Sequence, residues 1–126
     1  MVTVKVDTSD IRRQILSKFG DMDNYVQRIS ADRKIAIANE FVHRVTPLIP
    51  KKNEYLRKSV QVGVGRTIYV TWEVYNGKFE YAERQFTHQY DHYTTPGTGP
   101  HWDERFMNDG RRWSAFLKAC EKILRR

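Results

Sequence analysis

The stretch Tyr93-Thr94-Thr95-Pro96-Gly97-Thr98-Gly99-Pro100-His101-Trp102 divides this chain into a body and a closing helical segment. It carries neither the 3.6-residue nor the two-residue apolar period. Two prolines and two glycines fall within five residues, so neither a helix nor a central strand runs through it. Tyr90, Tyr93, His101 and Trp102 flank or close the stretch, and rings of that size have area to bury. A loop of this composition is expected to hold a defined shape and to meet a partner.

Beyond the loop, Trp102, Phe106, Trp113, Phe116, Leu117, Cys120, Ile123 and Leu124 recur at helical spacing. Asn108-Asp109-Gly110 is expected to split them into two helices. Before the loop, Val2, Val4 and Val6 alternate with Thr3 and Lys5, which predicts a short edge strand. Thr8 or Ser9 is expected to cap a helix over residues 9–19, ended by Gly20, and Asp21 to Asn24 is turn-like. A longer helix ends at Val45, with Ala31, Ile35, Ala38, Val42 and Val45 as its stripe and Ile37 and Phe41 widening it. Tyr25, Val26 and Ile29 lie on another stripe, so this helix either starts at a Ser30 cap or bends there. Pro47 is expected to stop it.

Val60, Val62 and Val64 then alternate, and Gly65-Arg66 makes a turn. Ile68, Val70, Trp72 and Val74 form one face of a second strand, with Tyr69, Thr71, Glu73 and Tyr75 opposite. Asn76-Gly77 is the strongest hairpin signal in the chain. Residues 79–90 are ambiguous by pattern, with Tyr81, Ala82, Gln85, Phe86 and Gln89 suiting a short helix better than a strand. The expected fold is α+β: a long helix packed on a small, mainly antiparallel sheet, a Pro/Gly-rich structured loop, and a C-terminal helix. Residues 1–126 form one domain, with 92–101 as an extended interaction loop and 102–126 as the C-terminal helical segment.

At 126 residues the chain is long enough to bury a real core, and 40% hydrophobic with 29% charged residues is ordinary globular composition. The net charge of +7 makes an acidic partner possible. The charge is spread, however: residues 1–50 hold eight basic and six acidic side chains, residues 51–100 seven and five, and residues 101–126 seven and four. No block forms a basic arm. A single cysteine, Cys120, excludes an internal disulfide and lies on the last apolar stripe, where it reads as core. No signal core or membrane-length apolar run is present, so a soluble protein without a membrane partner is expected.

Several residues invite a chemical role. His88 and His92 stand four apart with Asp91, His101 and Asp103 nearby, and on a helix that spacing chelates a metal. The zinc-protease pattern needs Glu beside the first His, and Gln89 is there instead. Gly63-Val64-Gly65 and Gly97-Thr98-Gly99 lack the remaining residues of phosphate-binding fingerprints and read as turn glycines. Arg84, Phe86, His88, Tyr90, His92 and Tyr93 interleave bases and rings as a single-strand binder does, without a nucleic-acid motif beside them. No residue is assigned a catalytic, metal or cofactor role.

Two segments together carry a resemblance. The first runs from Thr46-Pro47 to Tyr55-Leu56-Arg57-Lys58-Ser59-Val60, with Asn53-Glu54-Tyr55 where an Asp-Thr-Gly-like turn is common. The second is Tyr81-Ala82-Glu83-Arg84-Gln85 followed by the Thr-x-Pro-Gly-Thr-Gly-x-x-Trp-Asp run that ends at Asp103. Over roughly residues 22–126 the chain resembles the minor capsid and head–tail connector (neck, tail-completion) proteins of long-tailed bacteriophages. The resemblance implies a non-enzymatic virion component, made in the host bacterial cytoplasm, that forms a hexameric or dodecameric ring at the neck. It implies as partners the adjacent connector, tail-terminator or tail-tube proteins, and double-stranded DNA passing through the channel without sequence recognition. On that basis Tyr90, Tyr93, Thr94, Thr95, Pro96, Gly97, Thr98, Gly99, Pro100, His101 and Trp102 are the expected contacts to the next subunit or ring, with Tyr93 and Trp102 as anchors. The alternative expectation is a small basic nucleic-acid-binding protein.

Overall fold

The computed structural model describes residues 1–19, 29–51, 54–76 and 78–125. The expected stop at Gly20, the turn over 21–24, the stripe residues Tyr25 and Val26, and Gly77 lie outside them. The fold is α+β, as expected: helices pack on one face of a small antiparallel sheet. Strands β1 (Val2–Val6), β3 (Ile68–Trp72) and β2 (Gln61–Val64) lie in the order β1-β3-β2. Val2, Val4 and Val6 sit opposite Trp72, Val70 and Ile68, so six buried side chains make one apolar face. β1 is an edge strand, as its short alternating pattern predicts. β2 is the other edge. Its register sets Val62 opposite Val70, yet Val62 stays 37% exposed at the margin of the sheet. Gly63 belongs to this strand, which corrects its expected place in a turn.

Helix α1 spans Thr8–Phe19 and is capped by neither Thr8 nor Ser9. Asp7 is the cap: its Oδ1 accepts from the backbone N–H of Ser9 (2.9 Å) and of Asp10 (3.2 Å). That leaves Thr8 inside the first turn and buried. Helix α2, Ala31–Val45, starts at Ser30, whose side chain accepts from Arg33 N. Its buried face is Ile37, Ala38, Phe41 and Val45, whereas Ile35 is 45% exposed and Ala31 is exposed. The expected stripe is therefore turned toward the residues that were to widen it. The cause is tertiary, because α2 packs on α6 and Phe41 meets Phe106 and Phe116 edge-on at 5.6 and 5.9 Å. α2 ends at Val45, as expected of the helix before Pro47, and a 3-10 turn, Thr46–Leu48, follows it.

Short helix α3, Tyr55–Lys58, follows a left-handed Glu54 (φ +65°). Leu56 is buried, Arg57 Nε donates to Ile49 O (2.9 Å), and Ser59 Oγ donates to Leu56 O (2.7 Å). The second strand expected over 68–75 ends at Trp72. Both backbone groups of Val74 are taken by the start of the next helix: Val74 N donates to Glu80 Oε1 (3.3 Å) and Val74 O accepts from Tyr81 N (2.7 Å). The chain then makes a separate two-stranded ribbon, β4 (Tyr75–Asn76) and β5 (Phe79–Glu80). Helix α4, Tyr81–Thr87, comes next, then α5 (Trp102–Asn108) and α6 (Gly110–Leu124). Asp109 breaks the last two, as the Asn-Asp-Gly signal predicts, and its side chain accepts from Arg111 N and Arg112 N.

Candidate interaction surface

Residues 88–101 have neither helix nor strand, yet they are tied down. Thr95 O accepts from Thr98 N (3.4 Å) and Thr98 Oγ1 (2.7 Å), closing a turn with Pro96 second and Gly97 third. Gly97 has φ +83°, the left-handed value that a type II turn demands of its third residue and glycine supplies without strain. Gly99 N donates to Leu48 O (3.2 Å), His101 N to Phe86 O (2.9 Å), and Arg105 Nη2 to Gly97 O (2.9 Å). The last contact is close: a Cβ on Gly99 would meet the Arg105 guanidinium at 2.9 Å. The expected projecting loop is thus folded back on its own body. Its two prolines, Pro96 and Pro100, lower the entropy lost on docking there.

The expected contact residues divide by burial. Thr98, Gly99, Pro100 and Trp102 are buried; Tyr90, Tyr93 and Thr95 are half-buried; Thr94, Pro96, Gly97 and His101 are exposed. Trp102 is a correction. It is fully buried, edge-on to Trp72 at 5.6 Å and to Phe86 at 4.8 Å, so it is a core residue with no face left for a partner. The loop brings its indole there because α5 begins at Trp102 and packs inward.

Tyr93 is half-buried at the surface. Its hydroxyl accepts from Tyr90 N (3.1 Å) and donates to His88 O (3.3 Å), and Arg84 Nε donates to the Tyr90 hydroxyl (3.3 Å). The two tyrosine rings stand edge to face at 6.1 Å. They wall an open hollow of about 400 Å³ with Pro50, Tyr81, Gln85 and Thr98. Tyr81 and Gln85 are four apart, one above the other on α4. Gln85 is 9% exposed, and none of the described residues hydrogen-bonds its amide. That spacing is visible in sequence; the partnership with Tyr90, Tyr93 and Pro50 is not.

His88 and His92 do not share a helix face. α4 ends at Thr87, His88 is its extended cap residue, and both imidazoles are exposed. Among the described residues no group of three or more His, Cys, Asp and Glu side chains is placed to hold a metal. Cys120 is buried, and burial pushes its thiol up to about 12, with Glu40 adding to the rise. It stays a neutral core thiol, without the lowered pKa of a nucleophile.

A second depression, of about 570 Å³, lies between α2 and α6, where His43 and Arg44 face Arg111 and Arg112. Arg44 is paired with Glu40 (2.8 Å) and Arg112 with Asp109 (3.3 Å). Lys118 and Lys122 continue the basic lining along α6. Among the described residues, no helix is long and apolar enough to cross a membrane.

The molecule is a small α+β domain whose polar chemistry is spent on fixing loops and whose rings gather at one open hollow. The chain belongs to the minor capsid protein family, which matches residues 2–122, and it is a structural component of the bacteriophage virion. No curated protein and no solved structure is significantly similar to it.

Proposed function

We propose that this virion protein sits at the neck. It assembles into a ring, hexameric or dodecameric, that joins the portal complex of the capsid to the tail around the DNA channel. It is made in the host bacterial cytoplasm, binds adjacent connector and tail-terminator or tail-tube proteins, and lets duplex DNA pass without sequence recognition. It carries out no reaction. The observation that supports this best is the pinned loop beside its aromatic hollow, on a chain that also leaves Tyr75 and Phe79 uncovered. A subunit that meets two neighbours needs two such unlike patches.

Electron microscopy of virions with labelled antibody against this chain tests the placement. Label at the head–tail junction is expected; label spread over the capsid shell or at the tail tip overturns it. A second reading, nucleic-acid binding, is favoured by the basic lining shared by α2 and α6. Three ion pairs, Arg44–Glu40, Arg112–Asp109 and Arg125–Glu121, partly neutralise those helices and weaken it.

A further inference from the structure

We infer that the β4–β5 ribbon of one copy seats in the aromatic hollow of the next copy. The inference rests on the ring proposed above and names the contact that would build it. The ribbon has only two residues in each strand, and an isolated two-stranded ribbon is marginal in water. Its pairs are Tyr75↔Glu80 and Asn76↔Phe79. Opposite residues share a face and successive residues alternate, so Tyr75 and Phe79 lie on opposite faces. Tyr75 is 59% and Phe79 48% exposed. The ribbon is a wedge with an uncovered ring on each side.

The hollow has the matching character. Tyr81, Tyr90, Tyr93 and Pro50 give it apolar walls, and neither Tyr75 nor Phe79 of the same chain lines it. The Gln85 amide adds a polar contact point: most of the residue is buried, none of the described residues hydrogen-bonds its amide, and the amide atoms still reach solvent at the hollow. An amide both donates and accepts, and a peptide group satisfies both ends at once. A ribbon offers peptide groups with a ring to either side.

Charge points the same way. Lys78, next to Phe79 in the ribbon, is exposed and has no ion-pair partner among the described residues. Asp91, exposed and likewise unpaired, stands between Tyr90 and His92, which both line the hollow. The other charge there, Lys51, is already held by Glu54 at 3.2 Å. An unpaired base on the wedge thus meets an unpaired acid beside the slot.

Wedge and slot are different patches, so the contact is heterologous and closes into a ring when the rotation allows. Two rings bury about 150–250 Å² each, less than the roughly 1,000 Å² of a stable interface. The wedge is therefore the anchor of a larger contact, and loss of an anchor ring weakens association by about tenfold or more.

Sedimentation of the full chain over a concentration series tests this with two surface variants. Phe79→Ser removes the wedge, and Thr94→Trp fills the slot from an exposed position. Wild type is expected to associate, and each variant to need about tenfold or more higher concentration to do so, with unchanged circular dichroism. An equal mixture of the two variants is expected to form one-to-one dimers and stop there, because one wedge and one slot survive between them. Wild type that stays monomeric at every concentration, variants that associate like wild type, or a folded mixture without dimers each overturns the inference. Charge exchange is the second measurement: Lys78→Glu and Asp91→Lys each weaken association, and the double variant recovers it. A double variant as weak as the singles counts against the contact. Neck rings that still form with Phe79→Ser discard the wedge and leave the neck assignment standing. Wedge-and-slot dimers in a protein found elsewhere on the particle do the reverse.

Discussion

Trp102 and Tyr93 look alike in the sequence, as rings at the two ends of one loop, and burial separates them. Trp102 fills the space between Trp72 and Phe86, and no described group accepts from its indole N–H or from that of Trp72. The rings contribute through packing, strongly enough to offset two unpaired donors. Trp102→Ala is expected to lose about 3–5 kcal/mol in denaturant unfolding. Tyr93→Ala, which leaves the core intact, is expected to lose far less. Equal losses would mean that Tyr93 is core as well. Asp103, the next residue, sits in the first turn of α5 with Oδ1 buried and without a partner. Burial raises its carboxyl above the ordinary value of 3.8. The unfolded chain releases this proton first, so the native state loses stability as pH climbs from the ordinary value through the raised one. Asp103→Asn carries no such loss. Its melting temperature relative to wild type is expected to be higher at pH 7 than at pH 3, and an unchanged difference would place Asp103 in water.

At the scale of elements, side-chain caps mark where α1, α2, α4 and α6 start, and the one at Asp109 is why the C-terminal stripe is two helices. Asp109 is the hinge: it accepts from two backbone N–H groups of α6 and pairs with Arg112 at 3.3 Å. Asp109→Ala is expected to cost about 0.5–2 kcal/mol, and Asp109→Asn, which still accepts, a smaller part of that. A melt in which both variants match wild type would show that packing against α2 sets the start of α6 without help from the cap. The loop before α5 follows a different logic. Its turn is local, made by Pro96 and Gly97, but its position comes from Leu48, Phe86 and Arg105, which reach it from three other elements. The loop is a buttressed surface, and its exposed members, Thr94, Pro96 and Gly97, are available together.

At the scale of the molecule, +7 is distributed over a surface whose best basic lining is partly neutralised by its own carboxylates. Free subunits are expected to bind duplex DNA weakly, with a shallow dependence of log affinity on log salt, because few phosphates are contacted. A titration with a steep slope, corresponding to six or more ion contacts, would favour the nucleic-acid reading over the neck.

Strand alternation, the Ser30 cap, the break at Asn108-Asp109-Gly110 and the Pro/Gly break were legible in the chain because each depends on neighbours within a few residues; the Asp7 cap was not, since Thr8 and Ser9 beside it carry the same signal. The α+β class was legible too, since those local signals alternate in a recognisable order, and so was the family, which lies in contiguous motifs. Three further matters were not. The face that α2 buries depends on Phe106 and Phe116, some 65 to 75 positions further along the chain. The fate of Trp102 depends on Trp72. The hollow needs Pro50, Tyr81, Gln85 and Tyr93 brought together from three segments. A residue's periodicity states that it has an apolar side to hide; only packing among distant segments chooses what hides it, and therefore which rings remain for a neighbour.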